Sequence, residues 1–420
     1  MAKLKRILGL DVGSTKIASV IAESDNNGKL NIIGQGISNP EGFRNGIVIN
    51  LERAVVSVAQ AIEDAEKMAN VRAKNCRIFV GISGSYIKQM PSVGTAPVKN
   101  PGKGITEKDV NECLRQAQAI RLPPDEQIIH LIPNQFIVDG QKGIRNPIGM
   151  FGVRLELDAL LIIGTLSAVE NLHRVLDHLE LKANSLVLQP QAISLTVAEP
   201  EDKDLGIALV DIGGNTNLSI FKDGVLRFYK ALPLGGDNLT KDISIGLRTP
   251  YKKAEEIKKL YGRAMISCID HDEPIVIEDM SGRVNRPISQ RLLTSIIEPR
   301  IEEILQHCDN AIRETGLAEG LSGGIILTGG TSLLKGIDIL AEQIFRLPVK
   351  VANYRTNSDE TSDISDPTYY TALGLIRYGL IQNGTRSQSI IPTVNGMDIK
   401  TSSSENIFEQ LSAMIKQLFM

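Results

Sequence analysis

The sequence predicts an α/β fold of two similar domains facing each other across a cleft, and three observations carry that reading. The phrase ILGLDVGSTKIASVIAE at Ile7 returns as IALVDIGGNTNLSIFKD at Ile207, 200 positions later. In each copy an apolar run ends in an aspartate (Asp11 or Asp211), a turn of small residues follows, and a second apolar run returns. Each copy then reaches a polar turn, Asp25-Asn26-Asn27-Gly28 or Lys222-Asp223-Gly224, and a third β-rich run. Both copies therefore read as strand–turn–strand–turn–strand. The third observation is GGIILTGGTSLLKGI (323–337), which reads as a strand, a glycine turn and a helix start.

In chain order, the first hairpin is followed by an amphipathic helix whose apolar positions Ala54, Val55, Val58, Ala61, Ile62, Ala65 and Met68 fall at helical spacing. The strand CRIFVGISG (76–84) comes next. Residues 85–163 read as an insertion with its own core: a helix from Glu107 to Arg121 with Thr106 as N-cap, a Pro-Pro break at 123–124, and strands near 127–138 and 152–163. The helix 167–181 and the strand SLVLQP (185–190) return to the first domain, which takes in 1–84, 164–205 and 366–382. The second domain is expected at 206–248 and 321–365. A mixed subdomain at 249–320 opens with the charged helix TPYKKAEEIKKLYG (249–262) and ends in a long helix. Residues 383–404 are rich in Ser, Thr, Asn and Gly and read as a linker, with one last helix at 405–420.

The totals bound the function. A chain of 420 residues, 42% hydrophobic, buries large cores and divides into several domains. Its net charge of -3 disfavours nucleic acid as a partner. No apolar stretch approaches the ~20 residues that span a bilayer. Cys76, Cys113, Cys268 and Cys308 are scattered without a C-x-x-C pair, so they read as buried small hydrophobes in a reducing compartment, the cytoplasm. His173 and His178 lie five apart and miss metal spacing on a helix, and Asp270-His271-Asp272 reads as a solvated turn.

Paired Asp-x-Gly turns suit a nucleoside triphosphate and its metal. Close approach of backbone to phosphate requires glycine or small residues, and a hard cation is held by carboxylates, often through water. Asp11 and Asp211 are the expected carboxylates for that cation. Gly13, Ser14 and Thr15, with Gly213, Gly214, Asn215 and Thr216, supply N–H and hydroxyl donors, and Lys16 adds a point charge. Either copy alone is explained by a hairpin corner; two copies and the turn Gly329-Gly330-Thr331 are not. A helix starting after those glycines offers unpaired N–H groups to an anion. No G-x-x-x-x-G-K-[ST] occurs, which excludes a P-loop.

Two hairpins, LDVGSTK and VDIGGNT, followed in order by LTGGTSLLKG, resemble the actin/Hsp70/sugar-kinase superfamily. Within it the chain resembles the FtsA family of bacterial cell-division proteins over nearly its whole length. GFRNGIVINLERAVVSVAQAIEDAEKMA (42–69), VGISGSYIK (80–88), the segment ITEKDVNECLRQAQAI…PNQFIVDG (105–140) and ALGLIRYG (372–379) carry the match. The resemblance implies an actin-like, ribonuclease-H-like two-domain fold with an inserted FtsA-type subdomain. It implies ATP with Mg²⁺ in the cleft, Gly236 and Asn238 near sugar and phosphates, and Glu255 and Lys258 flanking ribose and adenine. A solvated helix face is the alternative for those last two. Gln189 stands where relatives place a residue that orients attacking water; Gln is a poor base, so hydrolysis, where present, is slow. The resemblance further implies self-association into filaments, other division proteins as partners, and an FtsZ C-terminal peptide held by the 249–320 subdomain. Arg283 and Arg286 are charge candidates for that peptide.

At the C-terminus Ile407, Phe408, Leu411, Met414, Ile415, Leu418 and Phe419 form one apolar stripe at helical spacing. The linker before it reaches about 25 Å as a flexible coil. The resemblance implies that this helix lies on cytoplasmic membrane lipids at the division septum. Lys416 is its one cation against Glu405 and Glu409, so attachment rests on apolar burial and on the avidity of a filament. A helix docking on protein remains the alternative for the tail. For the whole chain the alternatives are a pilus-assembly scaffold of the same group and a small-molecule kinase on the same fold.

Overall fold

The computed structural model describes residues 5–25, 29–278, 285–353 and 366–384. Asn26 to Gly28, Arg283, the loop at 354–365, the linker from 385 and the terminal stripe therefore lie outside the described residues.

Strands β1 (Lys5–Val12), β2 (Ile17–Ser24) and β3 (Leu30–Ser38) form the expected antiparallel meander. A short ribbon of β4 (Phe43–Arg44) and β5 (Ile47–Val48) leads into helix α1 (Leu51–Ala69). Its N-cap Asn50 accepts from the Arg53 N–H at 3.0 Å, satisfying one of the donors that every helix start leaves unpaired. Ala54, Val58, Ala61, Ile62 and Ala65 are buried, but Met68, in the last turn, is exposed. Strand β6 (Arg77–Ile82) joins β1 in parallel.

The chain then builds a separate antiparallel sheet from β7 (Ile87–Pro97), β8 (Glu126–Val138), β9 (Gln141–Ile144) and β10 (Arg154–Thr165), in the order β7-β10-β8-β9. Helix α2 (Glu107–Gln118) packs Val110, Cys113, Leu114 and Ala117 against it; Thr106 forms a capping box with Asp109, and the helix stops three residues before the expected Arg121. Helix α3 (Leu166–His178) and strand β11 (Ala183–Leu188) return to the first sheet. The strand expected to reach Pro190 ends at Leu188, where α4 (Gln189–Val197) begins. Proline has no N–H for a ladder and suits a first helical turn. Helix α5 (Pro200–Leu205) leads into the second repeat.

There β12 (Ile207–Ile212), β13 (Thr216–Lys222) and β14 (Val225–Leu232) repeat the meander. Helices α6 (Gly236–Gly246) and α7 (Tyr251–Tyr261), the ribbon β15 (Pro274–Glu278) with β16 (Asn285–Ser289), and the long α8 (Gln290–Glu314) follow. Strand β17 (Ile325–Thr328), helix α9 (Ile337–Phe345), strand β18 (Val349–Val351) and helix α10 (Tyr370–Gly384) complete the chain. The two large sheets, β3-β2-β1-β6-β11 and β14-β13-β12-β17-β18, have one topology. In each, a meander is followed by two strands parallel to its first, so Asp11 and Asp211 occupy equivalent strand ends. Among the described residues no helix is long and apolar enough to cross a membrane. All four cysteines are free thiols; Cys113 and Cys308 are buried, Cys76 and Cys268 only partly.

Candidate functional site

The hairpin turns of the two sheets meet. The Asn215 amide donates to Ser14 Oγ and to Asn45 Oδ1, both at 3.2 Å. A Cβ on Gly214 would stand 2.7 Å from Thr15 Cγ2 and 3.1 Å from Ser14 Cβ, so only a residue without a side chain lets the turns close this far. Gly13 N–H closes its own turn on the Lys16 carbonyl at 2.9 Å, and Gly213 N–H closes the matching turn on Asn215 at 3.0 Å.

Beneath the turns lie the charges. Asp11 is 3% exposed. Burial pushes its carboxyl up to about 6, against the attraction of Lys16; the repulsion of Asp211 adds to the rise, while hydrogen bonds from Thr371 and Gln189 lower it. Burial also raises Asp211, opposed by Lys16 and by a hydrogen bond from Asn217. It lowers Lys16, whose ammonium donates to the Thr368 carbonyl. Two mutually repelling carboxylates around one amine form a site that a divalent cation would relax, because added positive charge brings both acids back down. The Thr216 hydroxyl, fully buried just after the second turn, has no hydrogen-bond partner among the described residues. The donor set fits a magnesium ion held by Asp11 and Asp211.

Gln189, the first residue of α4, is buried: Nε2 donates to Asp11 Oδ1 at 2.6 Å and Oε1 accepts from Ser83 Oγ. Its amide is thus held against the carboxylate. Gly236 N–H bonds to the Gly213 carbonyl at 2.7 Å, and the Asn238 side chain caps α6 by accepting from Gly235 N–H at 3.1 Å. Lys258 is 8% exposed, not solvated; its Nζ donates to the Gly236 carbonyl at 3.0 Å and to Thr240 Oγ1 at 2.8 Å, and pairs with Glu255 at 2.6 Å. A Cβ on Gly236 would lie 2.6 Å from Thr331 Oγ1, which brings α6, α7 and the third glycine turn together. Gly329 has φ +85° and sits where a Cβ would be 2.5 Å from Asp211 Oδ1. The turn differs from expectation in one respect. Gly330–Leu333 is a single 3-10 turn, and α9 starts only at Ile337, so no α-helix N-terminus faces the cleft there.

Arg286 lies on β16, away from these residues, and donates to the Leu247 carbonyl. Sequence reasoning missed Ser83, Asn217, Tyr229 and Thr371, whose roles come from long-range contacts. It also missed Asp237, whose carboxyl is raised by burial and accepts from Tyr251 Oη at 3.2 Å. Its neighbour Gly236 was the available signal.

A family model described as cell division protein FtsA matches residues 208–374, and one described as the SHS2 domain inserted in FTSA matches residues 84–163. The chain is 34% identical over 377 residues to cell division protein FtsA of Pseudomonas aeruginosa, covering 90% of this chain and 89% of that protein. It is 36% identical to the Neisseria meningitidis protein (87% and 88% covered) and 34% identical to that of Bacillus subtilis (88% and 82%). Among solved structures, the fold is similar to a PilM-PilN type IV pilus biogenesis complex, with TM-score 0.62, 18% identity, and 89% of this chain and 98% of that chain covered. It is also similar to MreB5 of Spiroplasma citri bound to ADP, with TM-score 0.55, 16% identity, and 90% and 98% covered. The duplicated sheets are therefore actin-like, and by relatives above 30% identity along nine-tenths of its length the chain belongs to the FtsA family of cell division proteins.

Proposed function

We propose that the cleft binds Mg·ATP, and that the bound form assembles into filaments held on the inner membrane face at the septum, linking the FtsZ ring to lipid. The observation that carries the nucleotide reading is the meeting of two glycine turns over the Asp11, Lys16 and Asp211 charges. The nucleotide-bound structure of an actin-like neighbour supports it. In this reading Asp11 and Asp211 hold Mg²⁺, the cation that neutralises phosphate charge. Ser14, Thr15 and Lys16, with Gly213 to Thr216, take the phosphates. Gly236, Asn238, Glu255, Lys258, Gly329, Gly330 and Thr331 line the nucleoside side. Gln189 holds Asp11 and in this reading orients a water; an amide abstracts no proton, so turnover is slow and the nucleotide acts as a switch.

The terminal stripe from Ile407 to Phe419 supports the membrane role; in this reading copies meet head to tail in a contact that does not close, which generates a filament. The 249–320 subdomain is the proposed seat of the FtsZ peptide. Family membership favours this reading over a pilus scaffold or a kinase. The test is co-sedimentation with liposomes in Mg·ATP, comparing the intact chain with one ending at Ser404, and imaging both pellets. Filaments on liposomes from the intact chain alone support it. Equal behaviour of both chains removes the anchor.

Binding should depend on pH. Burial raises Asp11 from 3.8 to about 6 in the folded state, so the native protein holds this proton more tightly than the unfolded chain. The Asp11 contribution to ligand-free stability is therefore favourable below pH 3.8 and lost as pH rises through about 6. Metal binding needs the ionised form, so its sign is opposite. Mg·ATP affinity by calorimetry should be flat from pH 8 to 7 and fall toward about tenfold per unit below about 6. An unchanged affinity at pH 5.5 would contradict the assignment of Asp11.

A further inference from the structure

The root of the inserted sheet is tied to both aspartates. Ser83 and Gly84 are the last residues before the chain turns into β7. Ser83 Oγ donates to Gln189 Oε1, and the same amide donates to Asp11. Gly84 N–H donates to Tyr229 Oη at 3.1 Å, and that hydroxyl donates to Asn217 Oδ1, also at 3.1 Å. Asn217 stands directly opposite Asp211 across the β12–β13 ladder and hydrogen-bonds its carboxyl. Two adjacent residues thus lead, each through one or two side chains, to the two carboxylates of the cleft.

The place of attachment is narrow and constrained. Gly84 has φ +123°, a region closed to most side chains. Gly84 O accepts from Ile87 N–H at 3.1 Å, and Tyr86 O accepts from Thr165 N–H at 3.1 Å. The entry and the exit of the inserted sheet are therefore joined within three residues of Gly84. Tyr229 is 3% exposed and its hydroxyl is used as both acceptor and donor. Its own N–H donates to Gln89 Oε1 on β7 at 2.8 Å, a second tie to the insert that does not lead to Asp211.

We propose that Tyr229 is a positioning residue that couples the Asp211 carboxylate to the seating of the inserted sheet, so that filling the cleft tightens the root at Gly84. Asp211 would hold the metal, and a change at its carboxylate would pass to the Asn217 side chain bonded to it, whose Oδ1 accepts from the Tyr229 hydroxyl. The inference rests on the nucleotide reading above, and its test separates the two.

The test is hydrogen–deuterium exchange on the full chain with and without Mg·ATP, read on peptides covering 80–97, with calorimetry of Mg·ATP binding in parallel. In the unmodified protein, exchange over 84–97 should slow by about fivefold or more on binding. Tyr229→Phe should bind Mg·ATP nearly as well and lose that slowing. Asn217→Leu, cutting the chain at its other end, should lose it too, while Gln89→Ala should keep it. A merely structural tie predicts the reverse, equal exchange changes in all variants that stay folded. Full slowing in Tyr229→Phe or in Asn217→Leu overturns the coupling, as does a wild type that binds with no change at 84–97. A wild type that binds no nucleotide by calorimetry overturns the nucleotide reading and this inference with it.

Discussion

Asp11→Asn should remove most of the Mg·ATP stabilisation without weakening the ligand-free protein. In the unmodified chain, ligand at 100 times its Kd adds about 2.7 kcal/mol by mass action, which a thermal scan reads as an upward shift. The substitution removes one of two metal carboxylates, and affinity should fall by about 100-fold, roughly the loss of one charged contact. The ligand-free variant should melt no lower than wild type. Asp11 is held near 6 from 3.8 mainly by burial, a cost of roughly 3 kcal/mol at neutral pH as an order of magnitude. A neutral amide avoids that cost and still accepts from Gln189. The pair of scans separates function from folding. Retained affinity in Asp11→Asn would remove this residue from the site, and a lower ligand-free melting point would show that the carboxylate is structural.

Gly374→Val should prevent folding of the first domain. Helix α10 lies flat on α4 and β1 because two glycines permit it. A Cβ on Gly374 would stand 1.9 Å from the Ala192 carbonyl oxygen, and one on Gly9 would stand 2.2 Å from that of Ala372. Both neighbours are backbone and cannot turn aside. Overpacking against backbone costs more than the ~1–3 kcal/mol of an added methylene, so ~4 kcal/mol or more is expected. This contact also builds the site: α10 brings Thr371 to Asp11, the turn before it offers the Thr368 carbonyl to Lys16, and α4 starts with Gln189. Loss of soluble protein, or of cooperative melting, is the expected result. Gly102→Ala, where a Cβ meets nothing within 4 Å, is the control and should behave as wild type. A well-folded Gly374→Val variant would show that α10 can lift away.

The repeated meanders, the glycine turns and α1 were legible because each is a local pattern: alternation along a strand, a small-residue turn, apolar spacing around a helix. Strand β7 was not. Pro91, Gly94 and Pro97 give KQMPSVGTAP the look of a loop, yet it is an edge strand, where proline is tolerated. Its inward residues Ser92, Gly94 and Ala96 are small because α2 crosses closely there, with the Cys113 carbonyl only 2.0 Å from where a Gly94 Cβ would be. The signal is in the pairing, not in the segment.

The chain's own letters determined the duplicated α/β plan, the two aspartates at equivalent strand ends and the glycine turns beside them. What holds those aspartates was decided only in three dimensions. Gln189 meets Asp11 from 178 residues away in sequence, Asn215 meets Ser14 from 201, and Lys16 meets the Thr368 carbonyl from 352. Side-chain hydrogen bonds between distant segments have no periodicity along the chain. They depend on which strand ends the topology brings together, and burial, which sets the charge state of Asp11, exists only once both domains have closed over it.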